Sequence, residues 1–195
     1  MVATVLPAAR YRSAPWRNGL GVSREVTRED ADGGEDGAGG VRWLVSLTAI
    51  AGDCPFSDYR GYDRILTPLG EGVTLAVGEA PPVALARFQP FAFPGDEAVA
   101  CRLAAGPAAV INAMVARDWG SQSVTMLRAA AARFAIAAPI MVLHAPGGAT
   151  MTIAGAAFAL APGDSLRLDD MAGAEAAIAA AAETPLYLAA FRPHR

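Results

Sequence analysis

One arginine and the polar residues near it form the part of this chain best suited to binding a ligand. Arg64 stands directly before the apolar residues Ile65 and Leu66. A charge beside an apolar run costs free energy unless it is paired or binds a ligand. A guanidinium offers a planar fork that matches a carboxylate through two parallel hydrogen bonds, so we expect Arg64 to bind a small carboxylate. The alternative is a structural ion pair of Arg64 with Asp63 or Glu25.

The other candidate ligand-binding residues would supply neutral hydrogen-bonding groups or apolar walls. Hydroxyls and amides fix the orientation of a ligand, and large apolar side chains lower the local dielectric and strengthen those hydrogen bonds. Glu25 could accept a hydrogen bond from a ligand amine or hold Arg64 in place. The neutral polar candidates are Asn18, Ser46, Ser57 and Asn112, and the apolar candidates are Trp16, Phe56 and Met114. Some of these residues have a structural role as the alternative to ligand binding. Trp16 and Phe56 could pack in the core, and Asn18 before Gly19 could form a turn.

Several kinds of chemistry are disfavoured by what the sequence lacks. All 16 basic residues are arginine, so there is no Schiff-base or P-loop lysine. The two histidines, His144 and His194, lack the spacing of a shared metal site, and we expect neither a metal nor a cofactor. His144 precedes Ala-Pro-Gly-Gly and is expected to be a surface turn residue. Cys54 and Cys101 are far apart in sequence without a CxxC spacing, and we expect both to be reduced.

Composition narrows the class of protein and its partners. A net charge of -3 and a pI near 5.4 argue against nucleic-acid binding. No apolar run approaches the roughly 20 residues that span a bilayer, so no membrane partner is expected. The first residues lack a basic segment followed by an apolar one, and we therefore expect a cytoplasmic protein. A homodimer is compatible with the sequence.

The strand pattern predicts an all-β protein. Val41, Trp43, Val45 and Leu47 alternate with more polar residues, which indicates a strand with one face on a core and the other facing an enclosed space. Short strands recur every 8–12 residues between Gly/Pro turns, without an amphipathic helical window, as in a barrel or sandwich.

The strand rhythm restarts after a linker at 117–121, and the segment 91–96 is echoed at 158–164. These features predict two domains, residues 1–118 and 119–195. The alanine-rich segment 174–183 is compatible with either a helix, by local propensity, or a strand that begins at Glu175. The acidic, glycine-rich segment 28–40 is expected to be a solvated hairpin loop, with a mobile lid as the alternative.

Three separated motifs resemble the HutD/Ves family. The resemblance lies in Pro-Trp-Arg-Asn-Gly-Leu-Gly-Val-Ser-Arg-Glu at 15–25, in Trp43–Ser46 with Pro55-Phe56-Ser57, Gly61 and Asp63-Arg64, and in Gly106-Pro107 followed by Asn112, Met114 and Arg117. The order and separation of these motifs agree with the family over most of residues 10–120. The chain departs from the pattern at Arg17, Leu20, Cys54 and Val110, and the last departure removes a family carboxylate.

The resemblance implies a bicupin, in which one chain forms two small antiparallel β-barrels. It also implies a protein that binds a catabolic intermediate such as formylglutamate and regulates histidine or amino-acid utilisation. Two other functions are compatible with the residues. One is a metal-independent isomerase or hydrolase of a small acid, with Glu25 or Asp63 as the catalytic carboxylate. The other is a purely structural protein with a filled first barrel.

Overall fold

The structure is a computed structural model, and it describes residues 1–31, 40–128, 131–180 and 184–194. Strands and turns make up this part of the chain, apart from one short 3-10 helix at Ala8–Arg10. None of these residues belongs to a helix with the length and apolar character needed to cross a membrane. The all-β prediction is confirmed.

The strands follow one another closely along the chain. They are β1 (Val2–Leu6), β2 (Arg12–Pro15), β3 (Val22–Asp30), β4 (Val41–Ile50), β5 (Cys54–Pro55), β6 (Tyr62–Pro68), β7 (Val73–Val77), β8 (Val83–Leu85), β9 (Phe91–Pro94), β10 (Val99–Leu103), β11 (Ala108–Ala116), β12 (Gly120–Leu127), β13 (Ala131–Ala135), β14 (Ile140–His144), β15 (Ala149–Ile153), β16 (Ala156–Leu160), β17 (Ser165–Asp169), β18 (Glu175–Ala180) and β19 (Leu186–Pro193).

These strands form two compact units. The N-terminal unit comprises residues 12–121 with His194, and the C-terminal unit comprises residues 1–11 with 122–193. The sheets of the N-terminal unit have the strand orders β2-β3-β4-β11-β6-β9 and β5-β10-β7-β8. Those of the C-terminal unit have the orders β1-β17-β14-β19-β12 and β13-β18-β15-β16. Each unit is therefore built from a pair of antiparallel sheets, in agreement with the predicted cupin-like fold.

The N-terminus belongs to the C-terminal unit. Strand β1 pairs antiparallel with β17, so that Val2 lies opposite Asp169 and Leu6 opposite Ser165. The sequence division at 118/119 placed these residues in the first domain. A pairing over more than 150 residues leaves no local trace in the sequence, because a strand's own pattern does not specify its partner.

The core of the N-terminal unit lies between its two sheets. Its buried apolar side chains are Ile50, Leu66, Val73, Leu75, Leu85, Phe93, Val99, Cys101, Ala108 and Val110. They come from strands of both sheets, and alternation along each strand directs every second side chain inward. This core fills only one end of the space between the sheets.

The ambiguous alanine-rich segment is a strand as far as the structure describes it. Strand β18 pairs antiparallel with both β13 and β15, with Ile178 opposite Ala132 on one side and Met151 on the other. Ala176 and Ile178 are buried in the core of the C-terminal unit. Two-sided pairing and this burial outweigh the helical propensity of alanine. Residues 181–183 lie outside the described residues, as do residues 32–39 of the predicted acidic loop.

The prediction that His144 is a surface turn residue is wrong. His144 ends β14 and is 2% exposed, and its Nδ1 lies 3.0 Å from Ser165 Oγ on the neighbouring strand. The Tyr11 hydroxyl lies 2.7 Å from the same oxygen and donates to the carbonyl of Gly163 at 2.8 Å. Burial lowers the pKa of His144 to about 4, against a smaller opposing effect of Asp164.

We expect this histidine to make the protein sensitive to acid. The unfolded chain binds a proton at His144 near its ordinary pKa of 6.5, whereas the folded protein does so only near pH 4. The stabilisation is therefore complete above pH 6.5 and falls by about 3 kcal/mol as the pH drops to 4. Denaturant unfolding across this pH range would measure it.

The matched variants are His144→Gln, which should flatten that pH dependence, and His194→Gln at the exposed histidine, which should leave it unchanged. Equal slopes for wild type and His144→Gln would contradict the assignment.

Candidate functional site

The N-terminal unit contains a hollow on the inner face of its six-stranded sheet, lined also by the segment that follows β5. Its empty volume is about 600 Å³ when the open mouth is counted. Eight of the nine predicted ligand-binding residues line it: Trp16, Glu25, Ser46, Phe56, Ser57, Arg64, Asn112 and Met114. The structure therefore brings together residues that are up to 98 positions apart in the sequence.

Asn18 is the predicted residue that does not line the hollow. Its backbone N–H donates to Ser57 Oγ at 3.3 Å, and its side-chain amide donates to the carbonyl of Pro55 at 3.1 Å. Its side-chain oxygen accepts from the N–H of Leu20 at 3.1 Å. Asn18 thus ties the turn that carries Trp16 to the segment that carries Ser57, and its role is to position them.

Strand register places the polar candidates side by side. Glu25 on β3 lies opposite Ser46 on β4, which lies opposite Asn112 on β11. Two residues along β11, Met114 lies opposite Arg64 on β6. Because directly opposed residues point to the same face of a sheet, these side chains share the face that carries the hollow.

An irregularity in β3 adds a second charge to this face. The pairing with β4 shifts between Glu25 and Thr27, so that one residue of β3 has no counterpart. Such a bulge changes the alternation and turns Arg28 to the same side as Glu25. The guanidinium of Arg28 then lies 3.6 Å from the Glu25 carboxylate, and Arg12 approaches the same carboxylate at 2.6 Å. Glu25 is therefore an already paired carboxylate at the rim of the hollow.

Arg64 lies inside the hollow without a carboxylate partner among the residues that the structure describes. The residue is 7% exposed, its Nη1 donates to the carbonyl of Ser57 at 3.3 Å, and its buried Nε has no hydrogen-bond acceptor. Burial lowers the pKa of Arg64 to about 10, so the side chain stays charged at neutral pH. A buried cation with donors to spare favours binding of an anion.

The alternative partners proposed for Arg64 are engaged elsewhere. Asp63 points to the opposite face, where it accepts from Arg117 Nε at 2.6 Å, and it does not line the hollow. Arg117 also pairs with Asp96, whose carboxylate accepts from the N–H of Gly61 at 2.9 Å. The structure therefore excludes a pair of Arg64 with Asp63, and it places Glu25 with other arginines. Asp63 is likewise not in a position to serve as a catalytic carboxylate in the hollow.

Three aromatic rings surround the Arg64 guanidinium. Its central carbon lies 5.4 Å from the ring centre of Phe56, 5.1 Å from that of Tyr59 and 4.9 Å from that of Phe93. The π faces of such rings attract a cation and replace part of its lost hydration. Tyr59 lines the hollow but was not predicted, because one tyrosine in a turn-rich segment gives no signal of its own.

Other polar groups line the hollow with Arg64, and one of them has an unused hydrogen-bonding atom. Asn112 is 7% exposed, and its side-chain oxygen has no donor among the described residues. The indole N–H of Trp16 donates to Ser23 Oγ at 3.0 Å, and Ser23 Oγ lies 2.6 Å from Thr48 Oγ1. Ser23 and Thr48 also line the hollow and were missed by the sequence analysis, although each shares the alternation of its strand with a predicted residue. Together these groups can orient a polar ligand that Arg64 holds by its acid group.

The part of the chain described by the structure contains no cluster of three or more His, Cys, Asp or Glu side chains arranged to hold a metal ion. The polar lining of the hollow consists of one arginine, one glutamate, an amide and hydroxyls. This set of groups suits recognition of a carboxylate by hydrogen bonds.

Comparison with known proteins agrees with the motifs. The model of the HutD family matches residues 8–186. The chain belongs to the HutD family. This HutD-family chain is 40% identical over 103 residues to an uncharacterised 21.2 kDa protein from the hutC 3′ region of Pseudomonas putida. It is 34% identical over 111 residues to protein Ves of Citrobacter koseri. The matched regions span about half of this chain and about half the length of these curated relatives.

Solved structures support the family and the fold. HutD from Pseudomonas fluorescens SBW25, in a formate condition, has a TM-score of 0.83 at 27% identity, with all of both chains covered. A conserved protein of unknown function from Pseudomonas aeruginosa PAO1 has a TM-score of 0.85 at 30% identity, with 97% of each chain covered. Salicylate 1,2-dioxygenase from Pseudoaminobacter salicylatoxidans, at 12% identity and a TM-score of 0.60, shares the fold alone.

The wall formed by Trp16 depends on Gly21. The N–H of Trp16 donates to the carbonyl of Gly21 at 2.8 Å, and a methyl group on Gly21 would lie 2.8 Å from the indole ring. We expect Gly21→Ala to displace the indole from the hollow and to destabilise the protein by about 1–3 kcal/mol. The shift and quenching of tryptophan fluorescence, with denaturant unfolding, would measure both effects. Gly52→Ala is the control, since a methyl group there meets no atom within 4 Å; equal effects of the two variants would contradict the packing.

Proposed function

We propose that this HutD-family protein binds a small carboxylic acid in the hollow of its N-terminal unit and acts as a regulatory sensor in histidine or amino-acid utilisation. The observation that carries the proposal is the Arg64 guanidinium, which is buried, charged and without a carboxylate partner among the described residues. Such a group is costly in a folded protein unless an anion completes its environment.

The groups around Arg64 suit a ligand that has a carboxylate at one end and a hydrogen-bond donor further along. A carboxylate could accept from the unused Nε–H of Arg64 and from one of its Nη–H groups. The unused oxygen of Asn112 would then accept from an N–H or O–H of the same ligand. An N-formyl amino acid such as formylglutamate presents both groups, a carboxylate and an amide N–H.

The metabolic context of the proposal comes from relatives. The Pseudomonas putida relative is encoded in the hutC 3′ region, and the Pseudomonas fluorescens structure is a HutD. These names support a role in histidine utilisation, where small carboxylic acids arise as intermediates. A protein that binds such an acid through Arg64 can signal its concentration without converting it.

Titration calorimetry with a panel of acids tests the proposal. We expect formylglutamate, glutamate, urocanate or formate to bind with measurable heat and one-to-one stoichiometry at neutral pH, where Arg64 is protonated. The affinity for formylglutamate or formate should be constant between pH 6 and 8.5, because neither the guanidinium nor the carboxylates of these two acids titrate there. Absence of binding by all four acids, with folded protein, would contradict the proposal.

Removal of the guanidinium should weaken that binding while the fold survives. We expect Arg64→Ala to weaken carboxylate binding by about 2–5 kcal/mol, since the acid would lose its charged partner. Arg60→Ala is the matched control, because Arg60 lies in the adjacent turn with its side chain 83% exposed and paired to Asp58. Calorimetry measures the affinities and circular dichroism the fold. Equal affinities of wild type and Arg64→Ala would show that the acid binds elsewhere.

A further inference from the structure

The two cysteines, which are 47 residues apart in sequence, lie opposite each other in the second sheet of the N-terminal unit. Cys54 on β5 is the register partner of Cys101 on β10, and Pro55 is the partner of Ala100. The pairing is held on both sides of the cysteines. The N–H of Phe56 donates to the carbonyl of Val99 at 2.8 Å, and the N–H of Leu103 donates to the Asp53 carboxylate at 2.8 Å.

This register brings the two cysteines close enough for a disulfide to form with a small movement of the strands. The bond from Phe56 to Val99 marks that pair as a hydrogen-bonded one, and two residues along an antiparallel ladder the pair Cys54/Cys101 is of the same type. The Cα atoms of such pairs lie roughly 5.5 Å apart, within the range that disulfides bridge. Their Cβ atoms lie about 5 Å apart and must approach to about 4 Å, so the bridge needs a small closure of the two strands and is readily reduced. Both side chains point to one face, because Cys101 is a core residue and Cys54 packs against the same core. Both thiols are free in the structure.

The two thiols differ in access. Cys101 is 1% exposed, whereas Cys54 is only partly buried. A reagent in solution therefore reaches Cys54 first, and Cys54 is the group that Cys101 can reach. Burial and the charge of Asp53 raise the pKa of Cys54, so its reaction is slow at neutral pH and faster in mild alkali. Burial raises the pKa of Cys101 to about 12, so the attack by Cys101 is the slower of the two steps.

We propose that Cys54 and Cys101 form a reversible disulfide that fastens β5, and with it the wall of the hollow, to β10. The oxidant is a low-molecular-weight disulfide of the glutathione class. The Cys54 thiolate attacks one of its sulfur atoms, breaks the S–S bond and releases one thiol. The Cys101 thiolate then attacks the Cys54 sulfur of the mixed disulfide and releases the second thiol. The two cysteines lose two protons and two electrons, and the oxidant becomes two thiols.

The bridge would act on the hollow through chain continuity. Strand β5 has only two residues, and Phe56 and Ser57 follow it directly. Both of these residues line the hollow, and the carbonyl of Ser57 accepts from Arg64. A covalent link at Cys54 restricts the excursions of this segment, which is otherwise held by a short pairing. Formation of the bridge does not depend on the proposed ligand, so the two proposals fail independently.

The test is equilibration of the full chain in mixtures of oxidised and reduced glutathione at pH 8, followed by acid quenching, alkylation and intact-mass measurement. We expect loss of both alkylatable thiols, a mass lower by two hydrogen atoms, and a proteolytic peptide that links Cys54 to Cys101. Dithiothreitol should restore both thiols. Amide hydrogen exchange at Phe56 should slow in the oxidised protein.

Variants separate the two thiols. Cys101→Ser should accumulate one glutathione on Cys54, because no second thiol resolves the mixed disulfide, and Cys54→Ser should accumulate none. If the buried Cys101→Ser variant does not fold, the thiol count and intact mass of the wild-type protein are sufficient to test the proposal. Two thiols that stay alkylatable in the oxidising mixture, or a persistent glutathione adduct on the wild type, would overturn the proposal.

Discussion

The arrangement of the N-terminal unit depends on the burial of one guanidinium without a carboxylate beside it. Desolvation lowers the pKa of Arg64 to about 10, which corresponds to about 3 kcal/mol of free energy against the charged form. The rings of Phe56, Tyr59 and Phe93 offset part of that cost but accept no hydrogen bonds. An anion that enters the hollow supplies the missing acceptor, and this requirement links the packing of the unit to its proposed role in binding.

The rest of the unit keeps other charges away from this guanidinium. The bulge in β3 turns Glu25 and Arg28 to one face, where Arg12 and Arg28 hold the carboxylate. Strand alternation turns Asp63 to the opposite face, where Arg117 binds it. Neighbouring acidic groups are thus saturated by other arginines, so that Arg64 remains available to a ligand. The same logic argues against a catalytic carboxylate beside it.

The sequence predicted most of this site because local alternation and the family motifs carry the information. Ser46, Asn112 and Met114 alternate within their strands, and this placed them on one face before the partners were known. Features set by distant pairing were not predictable. The join of β1 to β17, the burial of His144 against Ser165 and the opposition of Cys54 to Cys101 all depend on register between remote segments.

The most direct test of the central claim is the free energy of unfolding of Arg64→Met measured without ligand. Methionine keeps much of the volume and removes the buried charge, which is often neutral or stabilising where the charge has no partner. The account predicts a variant at least as stable as the wild type. A loss of several kcal/mol would show that the guanidinium stabilises the fold itself. It would then contradict the claim that Arg64 is buried in order to bind an acid.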